Sequence, residues 1–121
     1  MKFTREPQRA VSIRAIGAGE IRVGDKTYEM PVVLTDERVL GEWVAPPVAL
    51  LAQEHFDDLI ATGPEVIVLG TGSESQFAPR ELMFAFARRA IGFEVMDSAA
   101  AARTFNVLAG EGRRVVAAFL L

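Results

Sequence analysis

The chain has 121 residues, half of them hydrophobic, a net charge of −3 and no cysteine. That length suits one domain, and the composition supplies a sizeable core. The missing cysteine excludes disulfides, thiolate metal sites and thiol catalysis, and the acidic balance leaves no footprint for nucleic acid or an anionic membrane surface.

The first ten residues, MKFTREPQRA, are polar and charged. A secretory signal needs an apolar core of ~7–15 residues after its basic start, and an Arg-rich transit peptide avoids acids such as Glu6. No apolar run approaches the ~20 residues of a membrane helix. A soluble, cytoplasmic protein with no direct membrane insertion is expected, with residues 1–10 flexible and residues 11–121 forming a single α/β domain.

The first half reads as antiparallel β. Val11, Ile13 and Ala15 alternate with Ser12, Arg14 and Ile16, which buries one face. Gly17-Ala18-Gly19 is a turn, and Gly24-Asp25 is a two-residue turn between Ile21–Val23 and Lys26–Met30. Pro31 breaks this ladder or sits at its edge. Short strands follow at 32–35 and 39–44, the second carrying Trp43 as a core or rim aromatic. Pro46-Pro47 starts a helix, and Val48, Leu51, Ala52, His55, Phe56 and Leu59 share one face of a helix running to Ile60. Thr62-Gly63-Pro64 closes it.

The second half alternates strand and helix. Val66 to Leu69 is continuously apolar, as a strand covered on both faces should be. Pro79 opens a helix to about Ala90, with Leu82, Met83, Phe86, Ala87 and Ala90 inward. A strand at 93–96, a helix at 99–109 and a last strand at 115–121 complete a strand-helix-strand-helix-strand run. Right-handed crossovers then give a mainly parallel core sheet. The expected fold is a compact three-layer α/β domain with a mixed sheet, antiparallel N-terminal strands preceding that run.

The stretch VIVLGTGSESQFAPRELM, Val66 to Met83, poses the functional question. A strand ends in Gly70-Thr71-Gly72 and a helix follows, as in phosphate-binding loops. A dinucleotide fingerprint needs a third glycine opening the helix directly, and a P-loop needs a Lys-Ser/Thr pair. Neither is here, and seven residues, Ser73 to Pro79, intervene. What survives is a backbone nest at Gly70 to Ser73, at the strand end where open α/β sheets bind ligands. If strands 66–69 and 93–96 are parallel neighbours, Thr71, Gly72, Ser73, Asp97 and Ser98 line one rim. Asp97 or Ser98 also serves as a helix cap, and Asp97 would compete with a bound anion. In the last helix Ala101, Phe105 and Leu108 face the core. Ala99, Ala102, Arg103, Asn106 and Gly110 lie opposite, combining small residues with an anion donor and an amide. Arg103 either contacts a ligand or pairs with Asp97 or Glu111.

His55 is the only histidine, so a Ser-His-Asp triad would have to use it. Its place among apolar neighbours favours a packed, hydrogen-bonded side chain. The carboxylates Glu54, Asp57 and Asp58 read as a solvated helix face, a poor magnesium site being the weaker alternative. No catalytic residue, metal ligand set or cofactor is expected.

Two segments resemble a known family. VIVLGTG…P…L, Val66 to Leu82, and GFEVMDSAAAARTFNVLAGEGRRVVAA, Gly92 to Ala118, are similar to the family of mitochondrial complex I assembly factor three. That family also holds the adipogenesis-associated domain-containing protein and small uncharacterised bacterial proteins. The matching positions are Gly70, Thr71, Gly72, Glu94, Val95, Met96, Asp97, Arg103, Thr104, Asn106, Leu108, Glu111, Gly112 and Arg113. Ser98 stands where the family often has Thr, and Ala102 where a cysteine often precedes the arginine, which counts against a thiol function here. The resemblance implies a three-layer α/β domain with a mixed sheet and no established enzymatic activity. Its mitochondrial members act in assembly of a membrane-bound respiratory complex. The missing transit peptide suggests the bacterial type.

The expected function is therefore a non-enzymatic accessory or assembly-type protein acting through a protein partner, in the setting of a membrane-bound complex. The alternative is a small-molecule (anion) binding protein or enzyme using the rim of Gly70, Thr71, Gly72, Ser73, Asp97, Ser98, Arg103 and Asn106. A structural homo-oligomer is the third option.

Overall fold

The structure is a computed structural model that describes residues 11–121. The flexible segment expected at residues 1–10 lies outside the described residues. Strands β1 (Ile13–Gly17), β2 (Glu20–Val23) and β3 (Lys26–Tyr28) form an antiparallel meander. Then come β4 (Val32–Thr35), β5 (Val39–Glu42), two 3₁₀ turns (Val48–Leu50 and Gln53–Phe56), α1 (Asp57–Ile60) and β6 (Val66–Thr71). The chain finishes with α2 (Arg80–Arg88), β7 (Gly92–Met96), α3 (Ser98–Gly110) and β8 (Val115–Leu120).

The central sheet has the order β5-β4-β8-β6-β7. β6 runs parallel to both β7 and β8, and β4 runs antiparallel to β8 and β5. β7 and β8 lie on opposite sides of β6. Crossovers of one hand made in opposite directions place their helices on opposite faces. Leu82 and Phe86 of α2 and Ala101 and Phe105 of α3 accordingly enter two different core clusters. Along β6, Val66 and Val68 face α3 and the meander, while Ile67 and Leu69 face α2. β8 alternates the same way, Val115, Ala117 and Phe119 against Val116 and Ala118. Both strands are buried on both faces, which is why they lack polar residues until Thr71. The three layers are the meander with α3, the mixed sheet, and the 3₁₀ turns with α1 and α2.

The structure departs from the sequence expectations in four places. A bulge between Ile13 and Ala15 shifts β1, so Ala15 is exposed and Ile16 packs toward the core. An inserted residue inverts the faces downstream of it. The helix expected over 48–60 is broken: Leu51 and Ala52 are extended. The N–H of Ala52 donates to Nδ1 of His55 at 2.9 Å, which restarts the chain as a second tight turn. Val48, Leu51, Phe56 and Leu59 are still buried, but Ala52 is exposed. In α2 only Leu82 and Phe86 are buried, while Met83, Ala87 and Ala90 face solvent. An edge strand beneath the helix offers room for one row of side chains. Finally, Trp43 falls just past β5. Its Nε1–H donates to the carbonyl of His55 at 2.8 Å. Its ring begins an aromatic chain through Phe56, Phe86 and Phe93 with centroid spacings of 4.7–5.9 Å. Those rings fasten the irregular 48–60 segment to α2 and β7.

Candidate functional site

β6 and β7 are parallel neighbours in register from Val66↔Gly92 to Gly70↔Met96. The two loops that leave them therefore meet. The N–H of Ser98 donates to the carbonyl of Gly72 at 2.8 Å. The N–H of Gly72 donates to Oγ of Ser98 at 2.9 Å, and that hydroxyl donates to the carbonyl of Leu120 at 2.5 Å. One buried serine thus ties the ends of β6, β7 and β8 together.

Gly70 lies under this knot. A Cβ there would sit 2.6 Å from Oγ of Ser98, 2.8 Å from Cδ1 of Phe119 and 3.0 Å from Cα of Ser98. Gly70 is needed so that the start of α3 and the Phe119 ring can approach the strand; Gly72 has φ +102°, a conformation suited to glycine. Thr71 is buried, its hydroxyl donating to the carbonyl of Glu74 at 2.7 Å and reaching that of Met96 at 3.3 Å. Asp97 is the N-cap of α3, its carboxylate accepting from the N–H of Ala100 at 2.9 Å. The helix N-terminus therefore already faces a negative charge.

The rim encloses a cleft of about 90 Å³ between the β1–β2 turn and the start of α3. Gly72, Ser73, Asp97 and Ser98 line it together with Ile16 to Glu20, Ala99 and Leu121. Its charged residues are Glu20 and Asp97, and no Lys or Arg lines it. The volume is well under the ~300–1,000 Å³ of ligand pockets, and the carboxylates oppose an anion.

Arg103 and Asn106 do not reach this cleft. Asn106 accepts from the N–H of Ile13 and donates to its carbonyl, both at 2.9 Å. The small-residue side of α3 thus receives the backbone of β1, and Ala102 is buried there rather than on an open face. Arg103 is exposed. The ion pair among the described residues is Arg113–Glu65 at 3.2 Å, on the surface, rather than one from Arg103 to Asp97 or Glu111. His55 is half-buried and hydrogen-bonded, as its setting suggested. No group of three or more metal-ligating side chains is present among the described residues.

A second concave region lies along β7, where sequence reasoning placed nothing. A groove of about 630 Å³ runs between α2 and β7, lined by Ser75 to Ala78, Arg80, Met83 and Phe93 to Val95. Phe77 is 98% exposed beside it, Met83 41%, and Phe84 on the same helix 55%. Burying apolar side chains of this size from water is worth roughly 2 kcal/mol each. The signal in the sequence was a lone aromatic in the polar run SESQFAP.

No helix among the described residues is long and apolar enough to cross a membrane. A 13 kDa major membrane protein of Francisella tularensis is 30% identical over 89 residues, covering 73% of this chain and 72% of that one. The mouse NADH dehydrogenase [ubiquinone] 1 alpha subcomplex assembly factor 3 is 32% identical over 92 residues, covering 74% of this chain and 49% of the relative. This chain spans about half of that longer protein. An NMR structure of a Xanthomonas campestris protein superposes with a TM-score of 0.83 at 36% identity, over 97% of this chain and 89% of that one. The family model for proteins of unknown function DUF498/DUF598 matches residues 13–120. The family model and these relatives place the chain in the DUF498/DUF598 family, which it shares with a complex I assembly factor.

Proposed function

We propose that the protein is a non-enzymatic accessory protein that works by binding a partner protein during assembly of a larger, membrane-associated complex. The observation that carries this reading is the groove beside β7, lined by the exposed Phe77 and Met83. A patch of this kind is a contact surface in want of a partner. The rim contributes by contrast. The side chains of Thr71, Asp97, Ser98 and Asn106 are engaged in bonds that hold strand ends, a helix cap and β1. Similarity to the mouse assembly factor supports the same role. In this reading the chain meets its partner in the cytoplasm, at a membrane rather than within it. Affinity capture from native lysate, with and without membranes, tests the proposal. One specific partner lost on Phe77→Ala supports it; no specific partner under either condition contradicts it.

The small-molecule alternative retains one cleft bordered by Gly72, Ser73, Asp97 and Ser98. Thermal-shift screening of anionic metabolites against wild type and Ser73→Ala, which changes a residue lining the cleft, tests it. A shift abolished in the variant supports that reading, and no shift across the library removes it.

A further inference from the structure

We propose that β7 accepts an extended segment of the partner as a sixth strand of the central sheet, and that this segment carries a basic residue flanked by two apolar ones. This rests on the partner-binding reading and specifies its chemistry.

β7 is an outer strand of the sheet, opposite in order to β5. In a parallel ladder alternate residues turn both backbone groups to the same neighbour. The N–H of Gly92 bonds the carbonyl of Glu65, so Gly92, Glu94 and Met96 face β6, and Phe93 and Val95 turn their N–H and C=O groups outward. Sheet edges are usually blunted by lysine, proline or a bulge. β7 has no lysine, proline or bulge, its single edge charge is Glu94, and it runs five residues against β6 without a register shift. The opposite edge, β5, carries Gly41 and adjoins a shifted register.

Side chains around the β7 edge set the sequence of the occupant. Phe93 and Val95 point to the α2 face, where they join Phe77 and Met83 in the groove. Glu94 borders the groove through its place in the strand, but its side chain alternates to the other face, is exposed and has no ion-pair partner among the described residues. An antiparallel strand centred on Glu94 puts one residue opposite it at a non-hydrogen-bonded pair, where side chains lie closest. A Lys or Arg there is attracted, and its two neighbours drop apolar side chains onto the groove. A second copy of this chain is a poor occupant. Pairing Gly92–Met96 with itself over its full length sets Glu94 against Glu94, and like charges directly opposite are destabilising.

The test uses two fluorescein-labelled eight-residue peptides, one with Val-Lys-Val at its centre and one with Val-Glu-Val, titrated by anisotropy. The Lys peptide is expected to bind wild type about fivefold or more tighter than the Glu peptide, and Glu94→Lys to reverse that order. Val95→Pro is expected to bind neither while keeping its circular dichroism, because an outward N–H tolerates proline on an edge strand. Three outcomes overturn the proposal: no saturable binding of the Lys peptide, equal binding to folded Val95→Pro, or peptide-insensitive dimerisation that Val95→Pro abolishes. If a cellular partner is captured equally by Val95→Pro, strand addition fails while the accessory role stands. If wild type captures none, the accessory role fails instead.

Discussion

Gly70→Ala separates a packing glycine from a ligand-binding one. The backbone at Gly70 lies outside the positive-φ region, so alanine meets no conformational penalty and gains ~0.4–1 kcal/mol from a stiffer unfolded chain. Against this, its Cβ would sit 2.6 Å from Oγ of Ser98, 2.8 Å from the Phe119 ring and 3.0 Å from the Ser98 backbone. Phe119 is fully buried and cannot swing away. Overpacking of this kind costs ~1–3 kcal/mol. Moving Ser98 also strains two hydrogen bonds, to Gly72 and Leu120, each worth ~1 kcal/mol. The net expectation is a loss on the order of 2–4 kcal/mol, or roughly 10–15 °C in melting temperature at this chain length. Urea denaturation should show a lower midpoint with an unchanged slope. Ser98→Ala should cost less in the Gly70→Ala background than alone, since the nearest clash is with its hydroxyl. A Gly70→Ala protein as stable as wild type would refute the packing account and return Gly70 to the list of ligand-approach glycines.

Other substitutions probe the rest of the molecule. Asn106→Ala leaves both backbone groups of Ile13 without their partner; it should cost about 2 kcal/mol and speed amide exchange in β1 more than in β6. Ala18 sits at φ +53° and Gly19 at +79° in the β1–β2 turn, a pair that favours Asn-Gly. Ala18→Asn should therefore raise stability by roughly 0.5–1 kcal/mol in thermal melts. Phe77→Ala should leave the melting temperature within about 2 °C of wild type, because the ring is 98% exposed and surface changes rarely exceed ~0.5 kcal/mol.

The sequence revealed most where one physical demand acted alone. Val66 to Leu69 is apolar on both faces because both faces are covered, as its unbroken apolar run implied. The strand-helix alternation after it implied parallel neighbours, hence the meeting of the Gly72 and Asp97 loops that the hydrogen bonds of Ser98 bear out. Periodicity misled where tertiary contacts compete with it. The spacing of Val48, Leu51, Phe56 and Leu59 resembles one helix, yet two short turns joined by an extended Leu51-Ala52 bury the same residues. Small residues on α3 admit a close approach, and what approaches is β1 of the same chain, held by Asn106. The order of strands around β8 depends on long-range pairing with β4, which no local pattern encodes. The charge in GFEVM did distinguish the edge strand β7 from the uncharged β6, a signal visible only once the sheet order is known.

The central claim is that the rim around Ser98 maintains the fold while the groove at β7 meets the partner. Quantitative affinity capture with wild type, Phe77→Ala/Met83→Ala and the rim variant Ser73→Ala tests it most directly. The account predicts that the groove variant loses the partner by an order of magnitude or more and the rim variant retains it. Retention by the groove variant together with loss by the rim variant would contradict it.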